Sequence, residues 1–225
     1  MPRIARIVAP GFPHHVTQRG SRNQQVFFSS EDKNSYLDIF HEELSKLEIE
    51  VWSYCLMDNH VHFIVVPKDI HSLSKLFREA HKRYALMVNK REGWRGHLWQ
   101  ERFHSFVMDE RHLFAAMRYV EMNPVKSRMV ESPESYEWSS ARAHIKGLKD
   151  NLLSPCYFTE EIKDWKEYLL NIDSGYDKNV EKHLNTGRPL GSPEFIKKLE
   201  TFTQRSLIIK KSGRKQMRSN ELILT

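Results

Sequence analysis

The chain has 225 residues, enough for one sizeable domain and an appendage, and no apolar run approaches the length of a bilayer span. Its start, Met1-Pro2-Arg3-Ile4-Ala5-Arg6-Ile7-Val8-Ala9-Pro10, has too short an apolar stretch for a signal peptide, and Cys55 and Cys156 lie far apart without Cys-x-x-Cys spacing. Those features exclude a membrane protein, a zinc ribbon and a disulfide scaffold, and suit the cytoplasm.

The net charge of +6 is unevenly placed. Residues 182–225 hold ten Lys and Arg against three acids, whereas residues 1–181 hold 25 basic and 26 acidic side chains. A basic tail is the electrostatic footprint of a polyanion partner, most often nucleic acid, and its plain alternative is a solvated tail.

In chain order, His14-His15-Val16-Thr17-Gln18-Arg19 alternates as a first strand and ends at Gly20. Ser29-Ser30-Glu31-Asp32 starts a helix whose stripe runs through Tyr36, Ile39, Phe40, Leu44 and Leu47. Ile49–Leu56 alternates as a strand, and Asp58-Asn59 turns it into a second strand that begins at His60 and closes at Pro67, an antiparallel hairpin. His71-Ser72 opens a helix carrying Leu73, Leu76, Phe77, Ala80, Tyr84, Met87 and Val88, with Arg78, Lys82, Arg83 and Lys90 on its other face. Residues 97–108 give a loop and a strand. Asp109 caps a third helix that stops near Asn123-Pro124. The order βαββαβ is that of a ferredoxin-like α+β sandwich, an antiparallel sheet with helices on one face and the His60 strand in the middle.

Patterning loosens after Trp138-Ser139-Ser140. A short helix is expected over residues 160–170, a turn at Gly187–Gly191, and a helix capped at Ser192 that runs to about Leu207. The expected division is a domain over residues 1–145 and a basic, partly helical extension over 146–225.

His60 and His62 flank one valine on a strand, so both point to the same side and can share one ligand. A pair of partly exposed histidines at a strand entrance explains the pattern equally well. Two imidazoles want a third protein ligand for a metal. Tyr119 and Asn123, four apart, share one helical face. Asn123 offers a hard carbonyl oxygen suited to Mg²⁺ or Mn²⁺, and Tyr119 a phenol able to attack phosphorus. A core tyrosine and a helix-terminal asparagine remain the alternatives.

His60-Val61-His62 has the His-hydrophobic-His form of the HUH endonucleases, and Tyr54–His62 resembles the single-tyrosine HUH transposases. Tyr119-Val120-Glu121-Met122-Asn123-Pro124-Val125 resembles their catalytic helix, and His97–Phe103 and His15–Gly20 are also similar, so the resemblance covers about residues 10–145. Asn-Pro after the tyrosine, Gly187-Arg188-Pro189-Leu190-Gly191, Phe195-Ile196 and Leu199-Glu200 are most similar to the REP-associated tyrosine transposases.

The resemblance implies that His60, His62 and Asn123 hold a divalent ion, Mg²⁺ or Mn²⁺, against a scissile phosphate. It implies that Tyr119 attacks in line, leaving a 5′-phosphotyrosine and a free 3′-OH, on single-stranded DNA bearing a hairpin. Both monomers and homodimers are implied by relatives. Arg188, Lys210, Lys211, Arg214 and Lys215 are the candidate phosphate contacts. Two other classes compete: a sequence-specific nucleic-acid binder that has lost its chemistry, and a metallohydrolase that activates water.

Overall fold

Four strands pair into one antiparallel sheet in the computed structural model, which describes residues 5–171 and 174–207. They are β1 (His14–Arg19), β2 (Ile49–Met57), β3 (His60–Pro67) and β4 (His104–Val107), in the order β2-β3-β1-β4. As expected, β2 and β3 form a hairpin and β3 is interior, bonded to β1 along its other edge. A register shift between Val51 and Ser53 bulges β2 at Trp52.

Two long helices cover one face, α1 (Ser30–Leu44) and α2 (Ser72–Glu92). The Ser29 hydroxyl accepts from the Asp32 amide at 3.3 Å to cap α1, and α2 stops at Gly93, whose φ of 67° is a left-handed cap. Val16, Val61, Phe63 and Val65 meet Tyr36, Phe40, Phe77 and Tyr84 there, with Phe40 stacked on Phe63 at 4.3 Å. Each such buried aromatic contributes on the order of 1.5–3 kcal/mol.

The third helix, α3 (Glu110–Glu121), packs on the opposite face rather than beside the other two. The physical reason is β3 itself. It is apolar on both sides, with Val61, Phe63 and Val65 on one and Ile64 and Val66 on the other, and a strand apolar on both faces needs two layers of cover. Leu113, Ala116, Met117 and Val120 of α3 meet Cys55, Ile64, Val66 and Phe106.

After α3 come α4 (Asn123–Lys126), α5 (Ala141–Lys146), α6 (Phe158–Glu161), α7 (Trp165–Leu170), α8 (Ser174–Thr186) and α9 (Pro193–Thr203). Trp165, Leu169, Val180 and Leu184 join the core beneath α3. The expected 160–170 helix is two short pieces, and α5 and α8 lie where the pattern had loosened. The Gly187–Gly191 turn binds the sheet edge: the Leu190 amide donates to Val107 O at 2.9 Å, and the Asp109 amide to Leu190 O at 3.1 Å. A Cβ at Gly191 would come within 2.3 Å of the Phe195 ring, so only glycine permits this approach. Helix α9 ends at Thr203, short of the expected Leu207, because Gln204 is left-handed (φ 52°) and Glu200 accepts the Leu207 amide at 2.6 Å. No described helix is long and apolar enough to cross a membrane.

Candidate active site

Alternation along β3 sends His60, His62 and Ile64 to the α3 side. On β1 the residues facing the same way are His15, Thr17 and Arg19, since Thr17 pairs with His62 and His15 with Ile64. His15 is therefore the diagonal neighbour of His62. Its Nε2 lies 2.9 Å from His62 Nδ1, both rings being buried. His62 Nε2 and His15 Nδ1 are buried without a hydrogen-bond partner among the described residues. Leaving such atoms unbonded costs about 1–3 kcal/mol each, so the pair is under-satisfied by construction.

His60 is half-buried, and its Nδ1 meets Asn59 Oδ1 at 2.6 Å. Burial lowers all three imidazoles. His15 goes to about 3, with His60 adding repulsion, and His62 falls well below its usual range, with His60, His15 and Arg19 adding to burial. His60 goes to about 4 through burial and Arg19, against an opposing pull from Asp58. Neutral imidazoles are the form that binds metals.

Helix α3 brings Tyr119 over these rings. Its ring centre is 5.5 Å from that of His62, at an interplanar angle of 86°, and 5.7 Å from that of His15, at 63°, and Lys126 Nζ stands 5.4 Å from its centre. Asn123 begins α4 rather than continuing α3, because Pro124 ends the helix, yet its side-chain amide still donates to Tyr119 O at 3.2 Å. That bond uses the nitrogen of the amide and not its oxygen. Among the described residues, no three His, Cys, Asp or Glu side chains are placed to hold a metal alone. A site at His60 and His62 thus needs a ligand of another type; the unpartnered His62 Nε2 is a donor of the kind a borderline divalent ion takes, and an amide oxygen such as that of Asn123 is a hard one.

The last turn of α3 is pinned from behind by Glu121, which is fully buried. Its carboxylate accepts from Ser140 Oγ at 2.5 Å, Ser53 Oγ at 3.2 Å, Trp165 Nε1 at 2.7 Å and His144 Nδ1 at 2.6 Å. Burial acts against charging His144, but the Glu121 carboxylate outweighs it and raises the imidazole's pKa. This gives a role to Ser140, at the point where the sequence pattern loosens.

A cavity of about 410 Å³ opens beside His62 and Tyr119, lined also by Thr17, Arg19, Asn23, Gln100, His104, Leu184 and Asn185. Gly20 lets this rim close up, since a Cβ there would lie 2.2 Å from Gln24 O. Asn123 is not among its lining residues. His15, Gln100, His104, Lys126 and Asn185 were not singled out in the sequence. Only the shared alternation of His15, Thr17 and Arg19 signalled part of the group.

Of the candidate phosphate contacts, Arg188 is half-buried and donates to Leu207 O at 2.5 Å. Lys210, Lys211, Arg214 and Lys215 lie outside the described residues. On α2, Arg78 pairs with Glu79 and Arg83 with Glu42 and Glu43.

Residues 12–123 match the family model described as "Transposase IS200 like". Among solved structures, the fold is similar to that of a REP-associated tyrosine transposase bound to a REP hairpin, with a TM-score of 0.54 and 19% identity over 69% of this chain and 93% of that one. A candidate transposase from Deinococcus radiodurans R1 aligns with a TM-score of 0.38 and 19% identity, over 54% of this chain and 96% of that one. No curated protein matches the sequence significantly. The matched stretch runs from just before β1 to Asn123, so it takes in both histidine strands and the tyrosine helix, and through it the chain belongs to the IS200-like transposases.

Proposed function

We propose that the chain is a metal-dependent single-strand DNA endonuclease and strand transferase that works through Tyr119 on hairpin-bearing DNA, as REP-associated enzymes do. The observation that carries this reading is the Tyr119 ring 5.5 Å from a His62 ring whose buried Nε2 has no hydrogen-bond partner among the described residues. A divalent ion bound by His60, His62 and Asn123 would supply charge stabilisation at the scissile phosphate.

The remaining steps belong to the chain's own groups. The Tyr119 oxygen attacks phosphorus and loses its proton. The bond from phosphorus to the 3′ oxygen breaks, and that oxygen leaves as a 3′-OH. A second 3′-OH reverses the exchange and frees the tyrosine, so no ATP is consumed. Lys126 places positive charge beside the nucleophile, where it also attracts the phosphodiester. Arg19, Asn23, Gln100 and Asn185 give the cavity donors and acceptors for an unpaired nucleotide next to the cut. Nucleophile and histidines come from one chain, which is what a working monomer requires.

We assign residues 146–225 to holding DNA, through Arg188, Lys210, Lys211, Arg214 and Lys215. The two cysteines are free and buried, in keeping with a reducing cytoplasm.

Incubation with Mn²⁺ and a hairpin oligonucleotide carrying a single-stranded flank should yield a covalent protein–DNA adduct. Tyr119→Phe should lower its formation by roughly 10⁴-fold or more while hairpin binding persists. Cleavage by Tyr119→Phe would overturn the nucleophile. Binding by the wild type without cleavage or adduct would favour the non-catalytic binder.

A further inference from the structure

We infer that His15 is a positioning residue that fixes which nitrogen of His62 faces the cation, and that the two imidazoles exchange their proton arrangement when the ion binds. This rests on the metal reading above and adds a residue to it.

A neutral imidazole carries one N–H and one lone pair. With His62 Nδ1 and His15 Nε2 at 2.9 Å, one of them must donate to the other. If His15 Nε2 donates, the His62 proton sits on Nε2, where it finds no acceptor and blocks a metal. If His62 Nδ1 donates, its Nε2 lone pair is open and the His15 proton moves to His15 Nδ1. Without an ion, both arrangements strand two buried nitrogens. An ion on His62 Nε2 satisfies one of them and selects the second arrangement.

Metal-bound histidines usually lean on a carboxylate, a backbone carbonyl or water through their other nitrogen. Here the support is another imidazole, which adds no charge to the site. Its ring is held by Phe106 at 5.4 Å and by Tyr119 at 5.7 Å, so one side chain touches both the ligand and the nucleophile. His60 is set the same way by a different group, since Asn59 Oδ1, an acceptor 2.6 Å from its Nδ1, puts the proton there and the lone pair on Nε2.

The test is binding of Mn²⁺ alone to the full chain without DNA, read from loss of the free-ion electron paramagnetic resonance signal. Wild type, His15→Phe, His15→Gln and His60→Ala are compared. His15→Phe should weaken binding about 10- to 100-fold, the usual effect of losing such a partner. His15→Gln, whose amide can still accept from His62, should stay within a few-fold of wild type, and it keeps the test readable should the phenylalanine variant fold poorly. Imidazole ¹⁵N spectra with Zn²⁺ as diamagnetic probe should put the His62 proton on Nδ1. Wild-type affinity in His15→Phe, equal losses in both His15 variants, or a His62 proton on Nε2 with Zn²⁺ bound would overturn the role of His15 alone. If the wild type binds no Mn²⁺, or His60→Ala binds it unchanged, the metal reading falls and this inference with it.

Discussion

His14 and His15 are adjacent, both fully buried, and point to opposite faces of β1. On the α1/α2 face His14 uses both ring nitrogens: Nδ1 meets Phe12 O at 2.8 Å and Nε2 accepts from the Ala9 amide at 3.1 Å. His81, on that same side, bonds the Tyr36 hydroxyl at 3.0 Å and stacks on Trp99 at 4.4 Å. On the α3 face His15 and His62 bond each other and, among the described residues, leave two nitrogens without a partner. Burial depresses all four pKa values, His14 to about 4 and His81 to about 3 among them, so a shifted pKa does not separate structural from functional histidines. Incomplete hydrogen bonding is what sets His15 and His62 apart from the other two.

His62→Ala should lower the rate of adduct formation by the folded fraction by about 10³-fold, the several kcal/mol a metal contributes. His81→Ala or His14→Ala should do the reverse, costing about 2–4 kcal/mol in urea unfolding while the folded fraction reacts within about threefold of wild type. Equal kinetic losses from both groups would erase the distinction between the faces.

The next largest effect concerns Glu121, which stands on the α3 side yet is fully bonded. Glu121→Ala strands the donors of Ser53, Ser140, Trp165 and His144 and should cost about 3–5 kcal/mol, measured by chemical unfolding.

A smaller effect follows from His14 and His81. Their folded pKa values lie below the unfolded value near 6.5, so the unfolded chain takes up protons first. Their contribution is intact above about pH 6.5 and is lost as pH falls toward 4 and 3. Each adds a slope of about 1.4 kcal/mol per pH unit within that window. Urea midpoints at pH 7 and pH 5 should differ less in His81→Phe than in wild type. The smallest effect is at the cavity rim, where Arg19→Ala should reduce the slope of log affinity against log salt for single strands by about 0.7.

Local signals made much of this legible. The caps at Ser29, Asp109 and Ser192 are in place, each side chain accepting an amide three residues on. The His60–His62 pair sits on an interior strand because the hairpin and the strand order follow from short-range pattern. The partners of that pair were not legible. His15 meets His62 across 47 positions, and whether His14 or His15 faces the site depends on β1 register. Leu184 and Asn185 reach the cavity from α8, whose amphipathic pattern was lost in the polar run after Trp138. Glu121 read as one more acid on a helix, because its four donors come from β2, α5, α7 and the residue before α5. The opposite placement of α3 followed from β3 being apolar on both sides, a clue present in the sequence that the βαββαβ pattern overrode.

The most direct measurement is the mass of the tryptic peptide that carries DNA after the Mn²⁺ reaction with a hairpin oligonucleotide. The peptide containing Tyr119 should carry a 5′-phosphonucleotide. Attachment at another tyrosine, or a cut strand with a free 5′-phosphate and no modified peptide, would contradict it.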